Sequence, residues 1–184
     1  IELTLVEVKE PKVPKGKTAL CWRLLTTHPV ETAEEAAAVV QLYRLRWRIE
    51  QAFRALKSDG MRLEESQVTG CDRMFALAAI AMAAAVRTIQ LVDARDGGPR
   101  LATDIIDAEF IAPVAGLSNK LEGKTDRQKN PHERGSLAWL AWVVARLGGW
   151  NCYYKPPGPK TMHQGWVHLA TFLAGFAFAG THDA

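Results

Sequence analysis

Tyr43-Arg44-Leu45-Arg46-Trp47-Arg48-Ile49-Glu50-Gln51-Ala52-Phe53-Arg54-Ala55-Leu56-Lys57 is the stretch on which the reading of this chain turns. On a helix advancing about 100° per residue with Tyr43 at the origin, Arg46 falls at about 300°, Lys57 at about 320°, Glu50 at about 340° and Arg54 at about 20°. Five functional groups thus share one face. Leu42, Leu45, Ile49, Phe53 and Leu56 fall between about 200° and 280°, an apolar stripe predicted to dock the helix on a core. Upstream, Thr32-x-x-Glu35 has the pattern of a capping box, so a single helical run is expected from there to about Lys57.

Working outward, Ile1 to Val8 and Thr18 to Thr27 are rich in β-branched and aliphatic residues. They flank the breaker-rich Pro11-Lys12-Val13-Pro14-Lys15-Gly16 and read as two strands. Two strands alone are marginal in water, so they are expected to belong to a larger sheet whose other members are absent. Downstream the chain reads as helical. An Ala-rich helix is expected from Cys71 to about Arg95, stopped by Gly97-Gly98-Pro99, and an exposed polar loop from Asn119 to Arg134. A helix from about Gly135 to Leu147 closes on Gly148-Gly149, and a final amphipathic helix opens at Thr161-x-x-Gln164.

The composition excludes several classes. With 184 residues and 48% hydrophobic side chains, the chain can bury a sizeable core. Its net charge of +3 is mild, but residues 44 to 62 concentrate Arg44, Arg46, Arg48, Arg54, Lys57 and Arg62 against Glu50 and Asp59. Cys21, Cys71 and Cys152 form no C-x-x-C pair, which argues against a disulfide framework or thiolate zinc site and fits a reducing cytoplasm. The apolar run from Met74 to Val86 is shorter than the roughly 20 residues a bilayer crossing needs and reads as a buried helix, with no membrane partner. No signal peptide opens the chain, and its start on Ile1 inside an expected strand reads as that of a fragment.

Arg46 with Glu50, and Glu50 with Arg54, have the i,i+4 spacing of ordinary solvated ion pairs worth a few tenths of a kcal/mol each. That does not account for three cations and a phenol around one carboxylate. A carboxylate able to hold a divalent metal, flanked by groups that reach phosphates, is what phosphodiester chemistry requires. Mg²⁺ takes one or two carboxylates plus water and substrate oxygens, so Glu50 supplies only part of such a site. Trp22 on a strand is, by itself, more often a core residue, and Trp47 stays open between packing and DNA contact. His163 and His168 do not share a helix face and make a poor metal pair.

The spacing Tyr43-x2-Arg46-x3-Glu50-x6-Lys57 resembles the Y-R-E-K signature of cut-and-paste bacterial insertion-sequence transposases, a DDE group with an RNase H-like core and a hairpin intermediate. The resemblance extends through Pro14-x-Gly16-x-Thr18-x-Leu20-x-Trp22-x-Leu24-Leu25-Thr26 and Pro29-Val30-Glu31. It continues through Gly135-Ser136-Leu137-x-Trp139, Ala145-Arg146-Leu147-Gly148-Gly149 and Gly165-Trp166, and is weakest over about residues 93 to 133. It implies an α+β, mostly helical fold: a partial RNase H-like core of terminal β-strands plus catalytic helix, then an α-helical C-terminal dimerisation region. The implied divisions are 1–70 for the insertion and core, 71–134 for connecting helices and loop, and 135–184 for dimerisation.

By the same resemblance Glu50 is the third metal-binding carboxylate of the catalytic triad, for Mg²⁺ or Mn²⁺. Tyr43, Arg46 and Lys57 contact the phosphates of double-stranded transposon-end DNA; Arg54 and Arg62, cations of the same basic segment, are expected to join them as DNA-binding residues. Trp22 stacks a flipped base. The implied partners are that DNA and a second copy of the chain, without a small-molecule cofactor, and the implied location is the bacterial cytoplasm at the nucleoid. The two upstream Asp residues of the triad have no counterpart: none of Asp59, Asp72, Asp93 or Asp96 falls on a suitable strand. The chain alone is therefore expected not to cleave DNA. Its alternative role is an inactive fragment that dimerises with full-length transposase and inhibits it.

Overall fold

A computed structural model describes residues 1–58 and 65–180. The fold is α+β and mostly helical, with two strands and six α-helices among the described residues. The chain divides into two compact units, Ile1–Glu50 and Gln51–Ala184.

The first unit is a ribbon with a helix on one face. Strands β1 (Thr4–Lys9) and β2 (Cys21–Thr26) pair antiparallel with Val6 opposite Leu24 and Val8 opposite Trp22. Their connection folds back through a turn in which the Lys17 amide donates to the Pro14 carbonyl at 3.0 Å, and Gly16 takes a φ of 84° that only glycine adopts cheaply. Because side chains alternate across a strand, Val6, Val8, Trp22 and Leu24 all point to one face. There they meet Ala36, Val39 and Val40 of α1 (Ala33–Arg44). Glu7, Arg23, Leu5 and Leu25 occupy the opposite, solvent-facing side.

The expected capping box starts α1. Thr32 Oγ1 accepts from the Glu35 amide at 3.2 Å, while Glu35 Oε2 accepts from the amides of Thr32 at 3.0 Å and Glu31 at 2.7 Å. Those donors stabilise the charged carboxylate and lower its pKa, the Glu31 amide contributing most.

The single helix expected through Lys57 is divided at Leu45. Helix α1 ends at Arg44 and α2 runs from Arg46 to Ser58. Leu45 keeps right-handed helical angles, but its amide is shared between the Gln41 and Leu42 carbonyls, and the Arg48 amide donates to the Leu45 carbonyl at 2.9 Å, an i to i+3 bond. A tightened turn therefore replaces the regular ladder, with neither Pro nor Gly to announce it. The expected apolar stripe is also corrected. Leu42, Leu45, Ile49 and Phe53 are 52–57% exposed, and of the stripe only Leu56 is buried.

In the second unit, Ala55 and Leu56 of α2 pack on Ala81 and Ala85 of α3 (Cys71–Ala94). Helix α3 continues through Arg87 and, by length and composition alone, could cross a bilayer. It is not buried throughout as expected. Ala81, Ala85, Thr88, Leu91 and Ala94 form an inward stripe, whereas Met74, Phe75 and Ile80 are exposed. After α3 the chain forms α4 (Ile111–Leu121), so the polar loop expected from Asn119 begins inside a helix.

Helix α5 (Leu137–Leu147) is apolar around its circumference, and Leu137 through Ala145 are all buried. Its N-cap is Ser136, whose hydroxyl accepts from the Trp139 amide at 3.1 Å. Helix α6 (Pro159–Gly180) lies against it at very close range. A Cβ placed at Gly165 would lie 2.7 Å from the Val144 carbonyl carbon and 2.9 Å from the Gly148 nitrogen. Arg146 binds the end of α4: Nη2 donates to the Leu121 carbonyl at 2.8 Å and Nη1 to the Trp150 carbonyl at 2.7 Å.

Candidate nucleic-acid interface

Four of the residues singled out from sequence lie in contact within the first unit. Trp22 comes from β2, Tyr43 from the last turn of α1, and Arg46 and Glu50 from the first turns of α2. The Trp22 and Tyr43 rings meet edge to face, with centroids 5.1 Å apart and planes at 67°. Arg46 stands over the Tyr43 ring at 5.9 Å, within cation–π range, and its Nη2 lies 3.2 Å from Glu50 Oε1. The result is a continuous row, indole to phenol to guanidinium to carboxylate.

The local fold explains the row. Trp22 is two residues from buried Leu24 on the inward side of β2, so its ring is half-buried beside the α1 cluster and in edge-to-face contact with Tyr43. Tyr43 is 40% exposed and sits four residues beyond buried Val39, on the side of α1 that overhangs the ribbon. The tightened turn at Leu45 carries the chain directly from Tyr43 to Arg46. The Arg46 and Glu50 side chains remain 57% and 44% exposed. In water such a pair is worth at most about 1 kcal/mol, so either partner can be released to a ligand at little cost.

The remaining predicted residues are placed as follows. Arg54 and Lys57 lie on the part of α2 that belongs to the second unit, both exposed at the surface and both engaged in other interactions. Arg62 lies outside the described residues. Three cations that the sequence reading did not single out, Lys12, Lys15 and Lys17, are exposed on the connection between the strands. Three lysines within six residues were the available signal. On the outward face Glu7 is held between Lys9 at 2.7 Å and Arg23 at 2.9 Å. The bond from Lys9, then that from Arg23, keeps its carboxyl below the ordinary range.

For a divalent metal the donors are too few. Glu50 is the row's one carboxylate, and among the described residues no three His, Cys, Asp or Glu side chains cluster as a metal would need. The described residues therefore do not make a complete metal centre. What the row offers by itself is a half-buried indole ring and a cation for binding a base and a phosphate. Residues 4–87, somewhat fewer than half of the chain, match the family model described as the transposase DDE domain; the match takes in both strands, α1, α2 and most of α3 and supports a DDE transposase family.

Proposed function

We propose that this chain is the C-terminal part of a hairpin-forming DDE transposase and binds transposon-end DNA. In this reading Tyr43, Arg46, Arg54, Lys57 and Arg62 contact strand phosphates, and Trp22 stacks a base drawn out of the helix. Glu50 is the third carboxylate of a Mg²⁺- or Mn²⁺-binding triad in an RNase H-like core, the two Asp members having no counterpart among these residues. The observation that carries the proposal is the row Trp22–Tyr43–Arg46–Glu50, which sets a stacking ring and a phosphate-reaching cation beside one carboxylate. On binding, Arg46 exchanges Glu50 for a phosphate oxygen, a stronger charge-assisted partner once water is excluded.

The helices of 135–184 form the region that brings two copies together. Phe172 and Phe176, exposed on α6, support that reading, because solvated aromatics on one helix suit an interface. The same exposure favours the second reading, a non-cleaving chain that captures and inhibits full-length transposase.

The test is binding of a fluorescein-labelled duplex by the full chain across about 50 to 200 mM salt. Arg46→Ala is expected to weaken binding and flatten the salt dependence by about one phosphate's worth, and Trp22→Ala to weaken binding to a duplex with an unpaired base more than to a perfect duplex. If neither variant differs from the parent, the interface is elsewhere. Mixed with active transposase, a chain whose Phe176→Glu variant no longer lowers cleavage supports the inhibitory reading.

A further inference from the structure

The second unit contains a cavity of about 230 Å³ that no part of the interface above uses. Its aromatic lining is Trp142 from α5 with Trp150 and Tyr154 from the turn after it, and its cationic lining is Arg95 and Arg127. The walls are fixed by bonds between separate segments. Trp150 Nε1 donates to the Lys155 carbonyl at 3.1 Å, and Arg95 Nη1 donates to the Pro157 carbonyl at 2.9 Å. Thr125 Oγ1 and the Tyr153 hydroxyl lie 2.7 Å apart, tying the neighbouring loop to the same turn.

Within this frame two groups stay available. Tyr154 is 82% exposed, an unusual position for an aromatic ring, and Arg127 has no ion-pair partner among the described residues. Arg95, by contrast, is already paired with Asp96 at 3.3 Å, and Asp96 also lines the cavity.

We infer that this cavity binds one nucleotide, its base against the Trp150 and Tyr154 rings and its phosphate at Arg127. Bases stack on aromatic faces whatever their identity, and a guanidinium pairs with phosphate oxygens in a forked geometry, so the two halves of the lining match the two halves of a nucleotide. Asp96 directs the phosphate to Arg127 by repelling it from Arg95, and offers an acceptor to an exocyclic amino group. The volume is below the roughly 300–1,000 Å³ of sites for drug-sized molecules, which suits one ring system and excludes an extended peptide. Choosing a nucleotide over other planar anions rests on the DNA-binding reading above. The same chemistry arises from a free mononucleotide or from an unpaired base of a strand.

The experiment is titration of the full chain with deoxyadenosine monophosphate and, separately, a single-stranded deoxyadenylate oligomer, followed by calorimetry. Tyr154→Ala and Arg127→Ala are the variants, with Trp22→Ala for comparison, Leu5→Ala on the outward face of the ribbon as the control, and circular dichroism as the check on folding. Binding of either probe that falls roughly 5- to 150-fold in Tyr154→Ala and not in Leu5→Ala is expected. Binding of the mononucleotide identifies the free source, and binding of the oligomer alone identifies the strand. No binding of either, binding that depends on Trp22 and not Tyr154, or preferential binding of a proline-rich peptide overturns the assignment. If Arg46→Ala leaves duplex binding intact while Tyr154→Ala abolishes nucleotide binding, the interface of the first unit fails and this site stands.

Discussion

Replacing Gly165 by Ala tests the packing of the second unit most directly. In an unencumbered helix Gly→Ala is stabilising by roughly 0.5–1 kcal/mol, because alanine loses less backbone freedom on folding. At Gly165 the new methyl would lie 2.7 Å from the Val144 carbonyl carbon and 2.9 Å from the Gly148 nitrogen, and closer still to the Val144 carbonyl oxygen. These are backbone atoms of α5 and its cap, so no side chain can swing aside. Helix α6 must withdraw, and a gap of about 0.5–1 Å forfeits a quarter to a half of each dispersion contact along it. Val144, Met162 and Leu169 are fully buried in the core that this packing closes.

Overpacking of this kind costs about 1–3 kcal/mol, which outweighs the helical gain. For a unit of this size that lowers the melting temperature by about 2–12 °C. The assay is thermal unfolding by circular dichroism, with Gly175→Ala as the matched control: Gly175 lies on the same helix, and a Cβ there meets nothing within 4 Å. Gly175→Ala is expected to melt at or above the parent, and Gly165→Ala below it. If both variants melt at or above the parent, the close approach of α5 and α6 is refuted.

Three further outcomes are expected. Arg146→Met should destabilise the protein by about 2–3 kcal/mol in urea unfolding, because the carbonyls of Leu121 and Trp150 lose a charged donor. Glu35 has a lowered carboxyl pKa when folded, so its contribution is present above its unfolded pKa and is lost as pH falls through the folded value. Helix α1 should fray in that acid window, followed by amide signals of Glu31 and Thr32, and Glu35→Gln should remove the dependence. Addition of Mg²⁺ to the chain alone should leave its melting temperature unchanged, because Glu50 supplies a single ligand; a rise would reveal donors beyond it.

What was legible in the sequence was local. The capping box at Thr32 and Glu35, the stop at Gly97-Gly98-Pro99 and the end of α5 at Gly148 all depend on chemistry within a few residues, and each is in place. The division at Leu45 was not legible, because its angles remain helical and only the hydrogen-bond partners change. Helix α4 was missed because it lacks a side-chain cap and carries Pro113 in its first turn, where proline is tolerated but reads as a breaker. In the candidate interface, Tyr43, Arg46 and Glu50 were close by spacing. The edge contact of Trp22 with Tyr43 joins residues from separate elements, and no periodicity predicts it. The apolar stripe failed for a related reason: Leu42 and Ile49 have the right phase, but among the described residues nothing covers them.

The ribbon of the first unit has a consequence for handling the protein. Among the described residues both of its strands are edge strands, each with unpaired amides and carbonyls along one side. On the outward face Leu5 and Leu25 are directly opposed and largely exposed, next to the crossed pair of Glu7 and Arg23. An apolar cross-strand pair beside open hydrogen-bonding edges is a template for strand addition by a second molecule, and the neighbouring charges oppose it. Salt screens those charges while leaving the leucines as sticky as before. The protein should therefore self-associate more readily at high ionic strength, the condition most often chosen to keep nucleic-acid-binding proteins in solution.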